Sequence, residues 1–291
     1  MGRGADEGAR LVAFSEAFVP GYPTWIERTG GAEFDSKDQK TLFALYADQA
    51  VQIEAGHLDE ICQLAAKLQL AVSLGVIERP SDRGKSLYCS SVFIGPEGKI
   101  RSCHRKLMPT YEERLAWSIG DGAGLVVHEL DEFTVGALNC WENWMPLPRA
   151  ALYAAGEDLH ISHWPGGDCN TNLAPFTARE GRCFHLAASA VMGAQDIPSD
   201  VPLRDRILRA PDELLYNGGS CIVGPDGKYI VEPLIGEEGL LCADLDLNRV
   251  LEERHNFDPS GHYSRPDVLR LTVDRRRQRV VSWVDEDEPL G

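Results

Sequence analysis

Short apolar runs alternate along the chain with longer stretches in which apolar residues recur at helical spacing. The run Leu11-Val-Ala-Phe14 has the character of a buried strand, and the run from Leu70 to Ile77 is rich in Val, Leu and Ile. Between these runs, apolar residues recur every three or four positions, which predicts helices over 36–52 and 57–68. This order of strands and helices predicts an α/β protein.

The second half of the chain continues the same alternation. Further strands are predicted at 133–139, 159–162, 184–191 and 241–245, and further helices at 146–156, 176–182 and about 247–254. Linkers and low-complexity blocks are missing from this pattern. We therefore expect one domain over 1–270, followed by a charged arm at 271–291.

The phrase Gly-Pro-acid-Gly-Lys occurs twice, at 95–99 and at 224–228, between strand-like residues. Proline presets φ for a turn, and the second glycine supplies the positive φ that ends it. Each copy therefore predicts a β-hairpin. Two interpretations are open: a weak internal repeat that relates two halves of one domain, or a turn sequence that suits any hairpin.

Composition narrows the possible partners and compartment. The chain has 45 acidic against 29 basic residues, a formal charge of −16, which repels nucleic-acid phosphates and anionic lipid surfaces. No apolar run approaches the length of a transmembrane helix, and Met1–Glu7 lacks the apolar core of a signal peptide. Eight cysteines without Cys-x-x-Cys spacing predict reduced thiols in a cytoplasmic protein and no zinc site.

Three polar residues stand at the ends of predicted strands. Cys140 follows the strand at 133–139, where backbone N–H groups and the dipole of the next helix favour a thiolate. Glu16 and Lys106 follow two other strands, and they reach the same sheet edge as Cys140 if these strands lie side by side. A carboxylate can then take the thiol proton, and a lysine can stabilise negative charge on a substrate. The alternatives are that Cys140 is a cysteine of the core, that Glu16 is an acid at the entry of a helix and that Lys106 is an exposed base.

Other polar and aromatic features predict less. The glycines of 120–124 lack the spacing of nucleotide-binding motifs, so this segment is predicted as a loop. His160 and His163 fall on opposite faces of a strand, which favours core or pocket lining over a shared metal. Trp141, Trp144 and Trp164 lie near Cys140 in sequence, and they line either an apolar substrate pocket or the core.

Four segments resemble motifs of the nitrilase family, which belongs to the carbon-nitrogen hydrolase superfamily. The segment FSEAFVPGYP at 14–23 resembles its glutamate motif, and HRKLMPTYEER at 104–114 resembles its lysine motif. LNCWEN at 138–143 resembles the nucleophile motif, and GHYSRPD at 261–267 a C-terminal motif of nitrilases. The Cys-Trp-Glu form is closer to the nitrilase branch than to the amidase and carbamoylase branches.

The resemblance implies roles for individual residues. Cys140 matches the nucleophile, Glu16 the general base and Lys106 the stabiliser of developing negative charge. Glu113 matches a second active-site glutamate that positions the lysine or the hydrolytic water. The substrate contacts that we add near the nucleophile are Trp141, Glu142 and Trp164.

The same resemblance implies a fold and a reaction. The fold is an α-β-β-α sandwich with a pseudo-two-fold axis, which would relate the two hairpins. The reaction is hydrolysis of a small organic nitrile to a carboxylic acid and ammonia, through thioimidate and thioester intermediates on cysteine, without metal or cofactor. Family members form dimers that build into spirals, here through surfaces near Gly156 and His262.

The chain departs from the family pattern before Leu11. Members usually carry a strand and a helix ahead of the glutamate motif, whereas ten residues precede Leu11 here. We therefore expect the first strand and most of the first helix to be missing, with an unpaired sheet edge as the result. Two alternatives to a nitrilase remain open: an amidase or carbamoylase with the same triad, and a truncated, inactive family member.

Overall fold

The computed structural model describes residues 1–281. The strands in this part of the chain are β1 (Leu11–Ala13), β2 (Ala71–Glu78), β3 (Tyr88–Ile94), β4 (Ile100–Arg105), β5 (His128–Leu130), β6 (Phe133–Asn139), β7 (Leu159–Trp164), β8 (Phe184–Ser189), β9 (Val191–Gly193), β10 (Leu214–Val223) and β11 (Tyr229–Ile235). The helices are α1 (Gly2–Asp6), α2 (Trp25–Arg28), α3 (Lys37–Gln49), α4 (Asp59–Leu68), α5 (Pro146–Ala154), α6 (Leu173–Gly181), α7 (Arg204–Ile207) and α8 (Leu247–Asn256). None of the helices described is long and apolar enough to cross a membrane.

Two sheets pack face to face and are covered by helices on their outer faces. The first sheet has the order β1-β2-β3-β4, and the second has the order β11-β10-β8-β7-β6-β5, with β9 paired to β10. Between them, Phe93 of the first sheet packs with Val135 and Ile161 of the second. Helices α3 and α4 cover the first sheet, and α6 packs on β8 and β10 of the second. The predicted α-β-β-α sandwich is confirmed.

Both predicted hairpins form, one in each sheet. The first joins β3 to β4 and the second joins β10 to β11. In each turn the backbone N–H of the first glycine donates to the lysine carbonyl at 2.9 Å. The second glycine has φ of 76° in one turn and 80° in the other, a conformation that favours glycine. The repeated phrase thus builds the same turn at corresponding places in two sheets.

The predicted strand at 241–245 is wrong. Its residues alternate between half-buried and exposed, as a strand's would, but they pair with no other strand of residues 1–281. The segment instead borders a cavity of about 660 Å³ that β1 also lines. Because a strand is defined by its hydrogen-bonded neighbour, side-chain alternation alone did not suffice here.

Strand β1 lies at the edge of its sheet. It pairs in parallel with β2 through Leu11–Ala13, and its other edge has no strand partner in the described part of the chain. The cavity beside it is lined by apolar residues of the second sheet, including Phe133, Leu159 and Leu186. Among the described residues, β1 is therefore an edge strand, and the predicted loss of an earlier strand stays a prediction.

The start of the predicted C-terminal arm contacts the domain. Residues 271–281 form no helix or strand, yet Arg277 donates to the Asp121 carboxylate at 3.0 Å and to the Cys103 carbonyl at 2.7 Å. The backbone N–H of Gln278 donates to the same carboxylate. Residues 282–291 of the predicted arm lie outside the described residues.

Beyond β1, the chain arches over the neighbouring strand. Phe14 N–H donates to the Ser73 carbonyl of β2 and Val19 N–H to the Gly75 carbonyl, so the segment 15–17 bulges out between these contacts. It passes so close to Gly75 that a Cβ there would overlap the carbonyl of Ser15 and the Cα of Glu16. Glycine at position 75 therefore allows the arch to lie against the face of β2 before the chain pairs with the same edge of β2 again at Val19.

We predict that Gly75→Ala destabilises the fold. The added methyl group has no space, so the arch or β2 must shift, at a cost of about 1–3 kcal/mol. Urea unfolding of the full chain would measure the loss. Gly2→Ala is the matched control, since a Cβ at Gly2 meets nothing within 4 Å. An unchanged unfolding midpoint in Gly75→Ala would contradict this account of the arch.

Candidate active site

Four of the residues predicted from sequence meet in one buried cluster. The Lys106 ammonium lies 2.8 Å from Glu16 Oε1 and 2.7 Å from Glu113 Oε2. Donor atoms of Glu16, Glu113 and Cys140 all lie within 4.8 Å of one another. None of the four residues is more than 4% exposed. A nucleophile, two carboxylates and one ammonium therefore share a site shielded from bulk water.

The cluster does not form as the sequence analysis expected, because the strands that carry it do not lie side by side. β1 and β4 are the two edges of the first sheet, and β6 belongs to the second. The arch after β1 brings Glu16 over the face of β2. Lys106 continues β4 and donates its backbone N–H to the Cys89 carbonyl of β3 at 2.7 Å. Glu16 N–H donates to the carbonyl of Trp164, the last residue of β7, and this hydrogen bond joins the two sheets.

Lys106 carries the positive charge of the cluster. Burial acts to lower its pKa, but the attraction of the acidic groups that face it, Cys140, Glu16 and Glu113, outweighs burial and holds the pKa well above its ordinary value. An ammonium has three donors, and two are taken by the carboxylates. The third is uncommitted within the described residues. The Trp117 ring, whose centroid lies 5.4 Å from Nζ, closes another side of the ammonium.

Glu16 is a base with one committed and one free oxygen. Its Oε1 accepts from Lys106 at 2.8 Å and from the Cys89 thiol at 3.4 Å. Its Oε2 is buried and has no hydrogen-bond partner in the described part of the chain. Burial raises the pKa of Glu16 to about 7, against the opposing effect of Lys106 and with a further rise from Glu113. A carboxyl of this kind exchanges its proton near neutral pH.

Glu113 is held rigidly against the lysine. It lies in the 3₁₀ turn Tyr111–Leu115, and its Oε2 accepts from the backbone N–H of Thr110 as well as from Lys106. Its Oε1 accepts from the Tyr22 hydroxyl at 2.7 Å. With these donors Glu113 is ordered, and it orients Lys106 between two carboxylates.

Cys140 occupies a strained turn between β6 and α5. Its φ of 47° is in the left-handed region, which costs a non-glycine residue about 1–3 kcal/mol. Asn143 supports this conformation, because its Nδ2 donates to the Cys140 carbonyl at 2.8 Å and its Oδ1 bonds with His160 at 2.7 Å. The strain presents the sulfur to Glu16 and Lys106.

The sequence analysis predicted a thiolate at Cys140, and this prediction is wrong. Burial keeps the resting sulfur protonated. Burial raises the pKa of Cys140 well above its ordinary value, and the negative charge of Glu16 adds to the rise. Lys106 and the backbone N–H of Trp141 act in the other direction but do not reverse it. Cys140 is the first residue of a five-residue 3₁₀ turn, and α5 begins only at Pro146. Deprotonation therefore needs a neighbouring base.

The spacing between the carboxylate oxygens and the sulfur of the cluster also matches that of the ligand atoms in a cation site. Glu16, Glu113 and Cys140 offer ligand atoms within 4.8 Å of one another. The Lys106 ammonium, however, already bonds to both carboxylates and supplies a positive charge among them. These residues are therefore a lysine-neutralised pair of acids.

Glu142 does not fit its predicted role as a substrate contact. Its carboxylate is buried and accepts from the backbone N–H of Leu107 at 2.6 Å and of Asn139 at 2.7 Å. His104 Nε2 lies 3.1 Å from both of its oxygens. Burial raises the pKa of Glu142, but His104 and the backbone donors outweigh burial and lower it, so Glu142 stays ionised. It ties the segment of Lys106 to the turn of Cys140.

The tryptophans occupy two different environments. Trp164 is 3% exposed and packs in the same apolar cluster as Cys140. Trp141 is 54% exposed and Trp144 is also exposed. A substrate contact by Trp141 or Trp164 stays a prediction. His160 and His163 face opposite sides of β7 as predicted, since His160 bonds with Glu157 and Asn143 and His163 with serines of the first sheet.

Sequence reasoning missed two residues that touch the cluster. Tyr22 bonds to Glu113, and it stands within the glutamate motif, so the motif itself was a signal for it. Cys89, the second residue of β3, bonds to Glu16. It has no local sequence signal, because only the pairing of β3 with β4 brings it to Lys106.

Known proteins are similar to this chain in sequence and in fold. The model of the family described as carbon-nitrogen hydrolase matches residues 2–254. Nitrilase 2 of Arabidopsis thaliana is 36% identical over 98% of this chain and 84% of its own length. An aliphatic nitrilase of Sinorhizobium fredii is 36% identical over 95% of this chain and 88% of its own length.

A solved structure has the same fold at lower identity. The carbon-nitrogen hydrolase from Helicobacter pylori superposes with a TM-score of 0.63 at 18% identity, covering 90% of this chain and 85% of its own. The sequence relatives identify the branch, since they share about a third of their residues with nearly the whole chain. The chain belongs to the carbon-nitrogen hydrolase family, in its nitrilase branch, and is a hydrolase acting on carbon–nitrogen bonds.

Proposed function

We propose that this protein hydrolyses a small organic nitrile to a carboxylic acid and ammonia. The observation that carries the proposal is the buried Lys106 ammonium between Glu16 and Glu113, beside the Cys140 thiol. The naming of the relatives as nitrilases supports a nitrile as the substrate. In this proposal Cys140 is the nucleophile, Glu16 the base, Lys106 the charge stabiliser and Glu113 the residue that holds the lysine.

The first half-reaction forms a thioimidate. Glu16 Oε2 takes the proton of the Cys140 thiol while the sulfur attacks the nitrile carbon, because the thiol is not ionised at rest. One π bond of the C≡N group breaks, and its electron pair moves to nitrogen. The nitrogen receives the proton from Glu16, which gives a neutral thioimidate and restores the carboxylate.

The second half-reaction consumes two waters. Glu16 takes a proton from the first water, whose oxygen attacks the thioimidate carbon and gives a tetrahedral adduct. The adduct nitrogen is protonated and leaves as ammonia, so that a thioester remains on Cys140. A second water attacks the thioester with Glu16 again as base, the C–S bond breaks, and the sulfur recovers its proton as the acid leaves.

Lys106 supplies the electrostatic part of catalysis. Negative charge develops on the substrate nitrogen during attack and on oxygen during thioester hydrolysis. The uncommitted N–H of the ammonium can donate to these atoms in a site shielded from water, where such a contact is stronger than in solution. Because both carboxylates hold the ammonium in place, it needs no reorganisation during the reaction.

We further propose that the protein works in the cytoplasm as a homo-oligomer without a cofactor or metal. Exposed apolar side chains near His262 support a subunit contact there, namely Tyr263, Val268 and Leu269. The other proposed surface lies near Gly156, at the end of α5.

Replacement of the nucleophile tests the reaction. We expect the unmodified chain to release ammonia from members of a panel of aliphatic and aromatic nitriles, and Cys140→Ala to release none above background. Cys183→Ala is the control, since this buried cysteine lies outside the cluster and its loss should leave turnover within about twofold.

Matching amides in the panel distinguish the alternatives. Faster turnover of amides than of nitriles, with the same dependence on Cys140, would indicate an amidase or carbamoylase instead. Undiminished nitrile turnover by Cys140→Ala would refute the mechanism. A folded chain without ammonia release from any nitrile or amide would indicate an inactive family member.

The pKa of Glu16 sets the pH dependence. Since burial raises this pKa to about 7, Glu16 is protonated below that pH and cannot accept the thiol proton. We expect kcat/KM for an accepted nitrile to increase with pH and to level off above about 7. Initial rates between about pH 4 and pH 9 would measure this rising part of the pH profile. A limb near pH 4.5, the value of an ordinary glutamate, would contradict the assignment of Glu16 as base.

Glu142→Gln tests whether turnover depends on the hydrogen bonds by which Glu142 joins the segment of Lys106 to the turn of Cys140. An amide NH₂ cannot accept from the N–H of Leu107 or Asn139, so one of these contacts becomes repulsive. We expect a loss of about 1–3 kcal/mol in stability and a fall in kcat of about 100-fold with a smaller change in KM.

The matched control for Glu142→Gln is Asp158→Asn. Asp158 is also a buried carboxylate that accepts a backbone N–H, from Thr134, but at the opposite end of β6 and β7. It should lose stability and keep kcat within about twofold. Steady-state kinetics with thermal unfolding would separate the two effects. Equal kcat in both variants would assign Glu142 to stability alone.

A further inference from the structure

We propose that Cys89 is a positioning residue for the base: its thiol holds one oxygen of Glu16, so that the other oxygen faces the Cys140 proton. The inference deepens the proposed function and rests on it, since it takes Glu16 to be the base. Cys89 does not touch the reacting atoms in this scheme, and it acts only through Glu16.

The geometry around Glu16 distinguishes its two oxygens. Oε1 receives both the Lys106 ammonium at 2.8 Å and the Cys89 thiol at 3.4 Å. Oε2 is fully buried and accepts no hydrogen bond from any described residue. A buried carboxylate oxygen without a partner is costly, and such an oxygen in an active site calls for a functional explanation. The neighbouring Cys140 thiol can donate its S–H to Oε2 and then transfer the proton to it.

Cys89 can serve only as a donor. Burial raises its pKa well above the ordinary value, and the negative charge of Glu16 raises it further, with Lys106 acting in the opposite direction. The group therefore stays S–H throughout the neutral range. A donor to a carboxylate stabilises the charged form, so this contact holds the pKa of Glu16 below the value that burial alone would produce.

The backbone fixes the thiol relative to both ends of the ion pair. Cys89 lies inside β3, opposite Ile77 of β2, and its carbonyl accepts from the Lys106 N–H at 2.7 Å. The residue is 1% exposed and packs with Leu87 and Trp117. Packing alone would be satisfied by another small apolar residue. The distinguishing feature is the hydrogen bond, which an apolar residue cannot make.

Other groups that face Glu16 come from several elements and stay in place when Cys89 is changed. They are Lys106 after β4, Glu113 in the turn 111–115, Cys140 in the turn 140–144, Tyr22 before α2 and Tyr46 in α3. A change in the titration of Glu16 on replacing Cys89 therefore reports the lost thiol contact.

The test uses Cys89→Ala and Cys89→Val in the full chain. Both remove the donor, but alanine leaves a gap and valine fills it, so a packing effect would separate the two variants. The first readout is the rate at which iodoacetamide alkylates Cys140 between pH 5.5 and 9, located by peptide mass mapping. This rate does not require nitrile turnover. Cys183→Ala is the control for removing a buried thiol elsewhere.

We expect both variants to shift the rising limb of the alkylation rate, plotted against pH, to higher pH. At pH 6 their rate should be about threefold to tenfold below that of the unmodified chain. Cys183→Ala should show no shift. Glu16→Gln should abolish the limb. If the limb is unmoved in both Cys89 variants, or if it survives in Glu16→Gln, the proposal is overturned.

The second readout is kcat/KM for nitrile hydrolysis, and it separates failure of this inference from failure of the proposed function. A shifted alkylation limb in a chain that hydrolyses no nitrile would support the role of Cys89 and refute the function. Nitrile hydrolysis with an unshifted limb would support the function and refute the role of Cys89.

Discussion

The ammonium of Lys106, buried between two carboxylates, is the interaction on which the site depends. Moving charged groups out of water costs several kcal/mol each, and only close, well-oriented partners offset that cost. Here one positive charge serves two negative ones, at 2.8 and 2.7 Å. Each member therefore needs the others. Without the lysine, Glu16 and Glu113 would face each other as buried like charges.

The same burial sets the chemistry of the neighbours. It raises the pKa of Glu16 to about 7 and keeps Cys140 as a thiol. The thiol proton must therefore move to a base within the cluster before the sulfur can attack. A site open to water would hold an ordinary carboxylate and an ordinary thiol, and the pair would exchange their proton less selectively. Exclusion of water thus turns common side chains into a base and a nucleophile suited to neutral pH.

A second set of contacts holds the residues of the cluster in position. Glu142 joins the segment of Lys106 to the turn of Cys140, and Asn143 with His160 supports the strained backbone of that turn. The arch over Gly75 brings Glu16 from the β1 edge of the first sheet onto the face of β2. These supports come from both sheets, which explains why the site lies where the two layers of the sandwich meet.

Much of this protein could be predicted from its sequence, since motifs and periodicity are local properties. The order of strands and helices, both hairpins, the family, and the residues Glu16, Lys106, Glu113 and Cys140 were all predicted from short segments. The strand predicted at 241–245 failed because a strand needs a neighbour, which no local pattern contains. The tertiary structure alone decided that β1 and β4 are opposite edges, that Glu142 is a buried tie, that Cys89 touches the base and that Cys140 rests as a thiol. These properties depend on contacts between residues far apart in the chain and on the exclusion of water, and both arise only when the two sheets pack together.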